Sequence, residues 1–264
     1  MFFRLTSFEL GLTLFAIVFG ATLIGVALGR RHRHQSEVIR EPFAALQGAL
    51  LGVVGLILAF GLALAVGRYE SRRAALVDEA NAIGTTYLRA QLLNEPQRER
   101  SLALLVKYTD ASIRLTKAIP GSADAREIIA VESDLQRQLW ALAGEAVARK
   151  PVDTAPRIYV ETLNTMIDAQ ETRVAGLNNR VPDAVLILEV VGGAVGVALL
   201  AFYLSVLGRG LVTVLLAAGL VTMLLLVTFD LDRPTRGLIT VPATPLLSVR
   251  ASMALPPAAD AAQP

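Results

Sequence analysis

Glu189 is a carboxylate set in apolar sequence, "AVLILEVVGGAVGVALL". At the centre of a bilayer such a group costs about 2.5–3.5 kcal/mol on insertion scales, and less near a helix end. Two chemistries suit it. It could be an ion-pathway or proton-relay group, or it could reach back to the interface or pair with Arg180. A second polar group follows the last apolar run, in "FDLDRPTRGLITV", where Asp230 and Asp232 stand beside Arg233 and Arg236. That spacing serves a salt-bridged exit from the membrane or a cation-binding acidic pair. Calcium takes roughly six to eight oxygens, so two carboxylates favour the salt bridges. His32 and His34 have the His-x-His spacing of a metal site, but they sit in the basic stretch "GRRHRHQSEVIRE" without a carboxylate-rich partner. A solvated loop is the favoured reading there, and no metal is expected.

Nothing else points to catalysis. The chain has no cysteine, which excludes thiolate nucleophiles, disulfides and Cys-based metal sites together. Both histidines fall in the basic loop, leaving residues 68–183 without an imidazole base. There is no Gly-rich phosphate loop, Gly-x-Ser-x-Gly or His-Glu-x-x-His. The expectation is a protein that is not an enzyme and needs no cofactor.

What must position these groups is membrane helix. Of the 264 residues 54% are hydrophobic and 18% charged, too apolar a balance for a soluble domain of this length. The net charge of +2 offers no footprint for nucleic acid. A helix needs about 20 mostly apolar residues to cross the hydrocarbon core, and four runs qualify: about 10–29, 43–67, 184–207 and 211–229. The first is too long for a signal-peptide core, and Arg-Arg-His-Arg follows where a cleavage site would sit, so it reads as an anchor. Only Gly-Arg-Gly separates the last two, which predicts a tight antiparallel hairpin. Gly25/Gly29, Gly48/Gly52 and Gly192/Gly196 repeat at four-residue spacing and allow helices to approach closely, within one chain or between chains.

An even number of spans puts both termini and residues 68–183 on one face of the cell membrane. Arg30, Arg31, Arg33, Arg40 and Arg209 lie on the other, while Arg4, Arg68, Arg72, Arg73, Arg173, Arg180, Arg233 and Arg236 share the face of the insert. Density and total count then disagree, and the positive-inside rule selects neither orientation.

The insert, 68–183, carries 16 basic and 16 acidic residues, the balance of a solvated domain. Pro and Gly punctuate it at 94–96, 120–122, 150–156 and 181–182. Between these marks apolar residues recur at helical spacing: Leu102, Leu105, Val106, Thr109, Ile113; then Ile128, Val131, Leu135, Leu139, Leu142, Ala146; then Tyr159, Leu163, Met166, Gln170, Val174, Leu177. Ser122 is a good N-cap, as is Asp153 or Thr154. No proline interrupts the passage from the second span into "RYESRRAALVDEANAIGTTYLRAQLL", so one helix is expected to leave the membrane and enter the bundle. Gly84 within it marks either close packing or a weak point. The fold class is therefore all-α: an integral membrane protein with four transmembrane helices and an all-helical extramembrane bundle between spans two and three. Its parts are a first hairpin (1–67), the helical domain (68–183), a second hairpin (184–230), and a C-terminal extension (231–264) that is disordered from Leu255.

That passage, the Glu-Pro that follows it, "DLDRPTRGLITV" after the last span and the four-span layout together resemble the bacterial bestrophin-like proteins, a family of uncharacterised function. It is more distantly similar to the bestrophin anion channels. The resemblance implies a homo-oligomer, a pentamer in bestrophins, with an apolar neck on the second span. Bestrophins place the last neck residue eight before an Arg-aromatic pair, here Arg68-Tyr69, which implies Phe60, Leu56 and Gly52 as neck positions. Arg68, Arg72 and Arg73 would attract small anions at the mouth, and the insert would be cytoplasmic. Two departures stand out: Gly52 is not bulky, and "GLALAVG" is apolar where bestrophins are polar. A non-conducting membrane protein whose helical domain docks or senses a partner is the alternative.

Overall fold

The computed structural model describes residues 6–32, 36–208 and 210–259, with the helical backbone alone over 36–44. Arg4, Arg33, His34 and Arg209 lie outside the described residues, as does the side chain of Arg40. Among the described residues every element is a helix: α1 (Ser7–Arg31), α2 (Ser36–Ala90), α3 (Gln97–Leu115), α4 (Ala123–Arg149), α5 (Thr154–Asn178), α6 (Asp183–Val206), α7 (Leu211–Asp232) and α8 (Thr244–Ser252). Four contain a stretch long and apolar enough to span a bilayer, and they carry the four expected runs. The chain is an integral membrane protein of the all-α class.

The helices form two compact units, Met1–Arg68 with Arg180–Ile239, and Tyr69–Asn179 with Thr240–Pro264. In the membrane unit α6 contacts each of the other three spans at glycines of one helix or the other. A Cβ on Gly25 or Gly29 of α1 would collide with the carbonyl oxygen of Ala198 or Phe202 on α6. Gly193 faces Val221 and Leu225 of α7 and Leu58 of α2, and Gly196 faces Leu51 and Val54 of α2. Without side chains at these points the backbones approach closely, and dispersion supplies an attraction that lipid does not displace. Gly208 and Gly210 take positive φ, 70° and 86°, which turns the chain between α6 and α7 within a few residues. At the start of α1, Thr6 and Glu9 form a capping box that satisfies the first orphan N–H groups.

The helical unit packs residues 69–90 of α2 with α3, α4, α5 and α8. Its core gathers Leu76, Ile83 and Tyr87 of α2, Leu105 and Tyr108 of α3, Leu135 and Leu139 of α4, and Tyr159, Leu163 and Met166 of α5. Ser122 caps α4 by accepting the Ala125 N–H at 3.1 Å, and Asp153 caps α5. Two features differ from the sequence reading. Val131 is 41% exposed, while Glu132 beside it is wholly buried, because the buried stripe of α4 runs through 128, 132, 135 and 139. Beyond residue 231, where no element was expected, α8 buries Leu246 in the same core, and the Met253 that caps it is buried there too. Nine residues with one strongly apolar pair show too little periodicity to announce a helix by themselves. Gly84 faces Val249 of α8 at an ordinary contact distance of 3.6 Å from an added Cβ.

Candidate functional site

Along the membrane part of α2 the side chains divide by face. Leu58, Gly61 and Ala65 are buried against the other spans. Leu46, Leu50, Val53, Leu56, Phe60 and Leu64 are exposed, Leu56 at 56% and Phe60 at 63%. Gly52 has no atom within 4 Å of an added Cβ, and Gly48 and Gly55 are equally open. Gly52, Leu56 and Phe60 therefore share one face at one-turn intervals, and no other span of the chain covers it. The glycine pairs thus separate into two kinds. Gly25/Gly29 close a contact inside the chain, Gly48/Gly52 lie on an open face, and Gly192/Gly196 divide, with Gly196 packed and Gly192 open.

Glu189 approaches the opposite face of the same helix. It is fully buried, and neither carboxylate oxygen has a hydrogen-bond partner among the described residues. Its Oε1 occupies the space a side chain at Gly61 would need, one residue beyond Phe60. Neither alternative, a reach back to the interface or a pair with Arg180, is what forms among the described residues. The carboxyl is turned into the helix contact, where only a glycine leaves room for it. Gly61 carried no sequence signal, being one of many glycines in apolar runs.

Asp230 and Asp232 act on the backbone. Asp230 Oδ2 accepts the Ile239 N–H at 2.8 Å, and its Oδ1 lies 3.4 Å from Ser7 Oγ. Ser7 also donates to the Arg236 carbonyl at 3.0 Å, tying the start of α1 to the loop after α7. Gly237 brings that loop against Asp230, where a Cβ would stand 2.8 Å from its oxygens. Asp232 Oδ1 accepts the Val181 N–H at 2.8 Å, which fixes the approach to α6. Arg233 is buried within the influence of the Asp230 charge, and Arg236 is exposed. Among the described residues no group of three or more His, Asp or Glu converges as a metal site would require. Ser7 and the Val181 amide escaped the sequence reading because each lies far along the chain from its carboxylate, and the Ile239 amide because only the turn at Gly237 brings it back to Asp230.

The three arginines at the end of the second span have different surroundings. Arg68 is half-buried in the membrane unit. Arg73, in the helical unit, is exposed and lies 3.7 Å from Glu70. Arg72 is only 5% exposed and packs its stem beside Gly176 of α5. Of the three groups that the resemblance implies as attracting anions at the mouth, Arg72 is the one whose side chain lies in the interior of the bundle.

A family model described as Bestrophin-like domain matches residues 12–246. A bacterial bestrophin homologue from Klebsiella pneumoniae, phased with zinc, matches with a TM-score of 0.65 at 12% identity, covering 89% of this chain and 97% of that one. A point variant of the K. pneumoniae homologue gives 0.65 at 14% identity with the same coverage. A further variant, described only as a membrane protein, gives 0.66 at 12% identity over 92% of this chain and 95% of its own. At such identities the likeness is one of fold. No curated protein matches the chain.

Proposed function

We propose that this chain, which belongs to the bestrophin-like family, forms a homo-oligomeric anion channel with α2 lining its axis. The observation that carries the reading is the uncovered face of α2. An apolar strip bearing Gly52, Leu56 and Phe60 runs the length of a span whose other face is tightly packed. Copies of the same helix arranged about an axis would bring these residues together as a constriction that gates by wetting and dewetting. Arg68 and Arg73 would raise the local anion concentration at the mouth, with Arg72 in a packing role. On this reading the helical unit and both termini are cytoplasmic, small anions are the substrate, and the protein is not an enzyme.

The test begins with the mass of the detergent-purified particle, detergent subtracted, followed by anion flux from liposomes. A pentamer in which Phe60→Ala conducts at least several-fold faster than the parent supports the channel. A monomer, or a pentamer without flux in either form, overturns it. The second reading, a non-conducting protein whose helical unit docks a partner, is favoured by one observation. Leu64 and Val66, between Phe60 and Arg68, are exposed and apolar at 45% and 42%, where a hydrated vestibule calls for polar groups.

A further inference from the structure

The helical unit seals a charged network inside its bundle. Glu79 of α2, Ser112 of α3, Glu132 of α4, and Gln170 and Arg173 of α5 are each at most 4% exposed. Arg173 donates to Glu79 Oε2 through Nη1, and to the Ser112 carbonyl through Nη2 at 3.0 Å. Gln170 Nε2 donates to Glu132 Oε2 at 2.9 Å. The remaining oxygens, Glu79 Oε1 and Glu132 Oε1, both meet Ser112 Oγ, at 3.1 and 2.9 Å.

One hydroxyl carries one hydrogen. Ser112 can donate to one of the two carboxylates, and the other contact needs a hydrogen from the carboxyl side. The charges give the same count. Within the hydrogen-bonded network two carboxylates meet one guanidinium, that of Arg173, and one proton makes the network itself neutral. Glu79 holds the guanidinium, so the proton belongs to Glu132, whose other partner is a neutral amide. The charged and titratable groups facing Glu132 are Glu79 from α2, Tyr108 from α3 and Arg173 from α5. Gln136, one turn along α4, donates to the Tyr108 hydroxyl at 3.3 Å. Arg72, earlier on the buried face of α2, lies beside Gly176 of α5.

We propose that this network is a pH switch in the helical unit: Glu132 is held as a neutral acid in acidic conditions, and loss of its proton to water sets a second negative charge against Glu79 across Ser112, loosening the contacts among α2, α3, α4 and α5. Burial and the Glu79 charge push the Glu132 carboxyl up from its usual 4.5 to about 6, against the Gln170 and Ser112 hydrogen bonds and the Arg173 charge. Tyr108 is driven well above its usual 10, chiefly by burial and then by the same two carboxylates, and stays neutral throughout. The unfolded chain releases the Glu132 proton near 4.5 and the native one near 6, so the native state binds more protons across that window. Stability from this group is fullest below about 4.5, falls as the pH climbs to about 6, and is level above.

The network stands independently of conduction, so its test uses the purified full-length protein and no flux. The pH-difference infrared spectrum and the unfolding midpoint are followed from about pH 4.5 to 7.5. The parent is expected to lose a carboxylic acid C=O band with a midpoint near 6, and to melt at lower temperature as the pH rises. Glu132→Gln should remove that band and flatten the melting curve, whereas Glu189→Gln, which replaces a buried carboxyl of the membrane unit, should leave both. A band with a midpoint near 6 that survives Glu132→Gln, or a titration at the ordinary carboxylate value, overturns the proposal. Should Glu132→Gln fail to fold, Glu79→Gln gives a second readout. Removing the neighbouring charge should shift the midpoint down by about one pH unit, and an unshifted midpoint overturns the proposal.

Discussion

Gly25 and Gly61 are both buried glycines of spanning helices, and their obstacles differ in kind. A methyl at Gly25 meets the Ala198 carbonyl, which moves only if α6 moves. A methyl at Gly61 meets the end of the Glu189 side chain, which can rotate aside. Overpacking against a fixed neighbour costs about 1–3 kcal/mol or more. Gly25→Ala should therefore lower the thermal midpoint of the purified protein clearly, and Gly61→Ala should lower it less. Combining Gly61→Ala with Glu189→Ala should recover most of that smaller loss. Equal losses at the two glycines would show that the contact with the α6 backbone is not the rigid one. Glu189 was visible in the sequence because a carboxylate among leucines and valines stands out. Glu132 was invisible because it sits among acidic residues on a helix whose polar face is solvated.

Helix α8 shows how an element can depend on its surroundings. Leu246 is fully buried in the core shared by α2, α3, α4 and α5, and Tyr87 of α2 donates its hydroxyl to the Met253 carbonyl at 3.3 Å. A short segment gains little from its own hydrogen bonds and is held by such tertiary contacts. Leu246→Ala should cost about 2–5 kcal/mol and lower the unfolding midpoint of the helical unit. Gly84→Ala, on the facing surface of α2, adds a methyl at an ordinary 3.6 Å from Val249 and should raise the midpoint. If Leu246→Ala is silent, α8 is not part of the folded core. The caps at Ser122 and Asp153 were legible because they use local sequence alone. The register of α4 was not, since Val131 and Glu132 fit the same helical period and only the neighbouring helices choose between them.

For the whole molecule the decisive surface is the open face of α2, an apolar strip that a second copy or lipid must cover. The cysteine-free chain makes it testable with single introduced thiols. Under oxidation, Leu56→Cys and Phe60→Cys should give covalent dimers in the purified oligomer. Leu58→Cys, buried in its own chain beside Gly193, should not. Equal cross-linking at all three positions would remove α2 from the axis and the neck with it.

The amino-acid sequence by itself determined the four spans, the all-helical insert, the uninterrupted second helix and the tight turn after the third span. Each depends on hydrophobic run length, period or a breaker residue, and these are local. Tertiary structure alone decided which glycines close contacts within the chain and which remain open. It also turned Glu189 toward Gly61, took Arg72 into the bundle and assembled Glu79, Ser112, Glu132, Gln170 and Arg173 from four helices. Those outcomes depend on which faces meet, and a residue's own neighbours in the chain do not specify the atoms that will stand across from it.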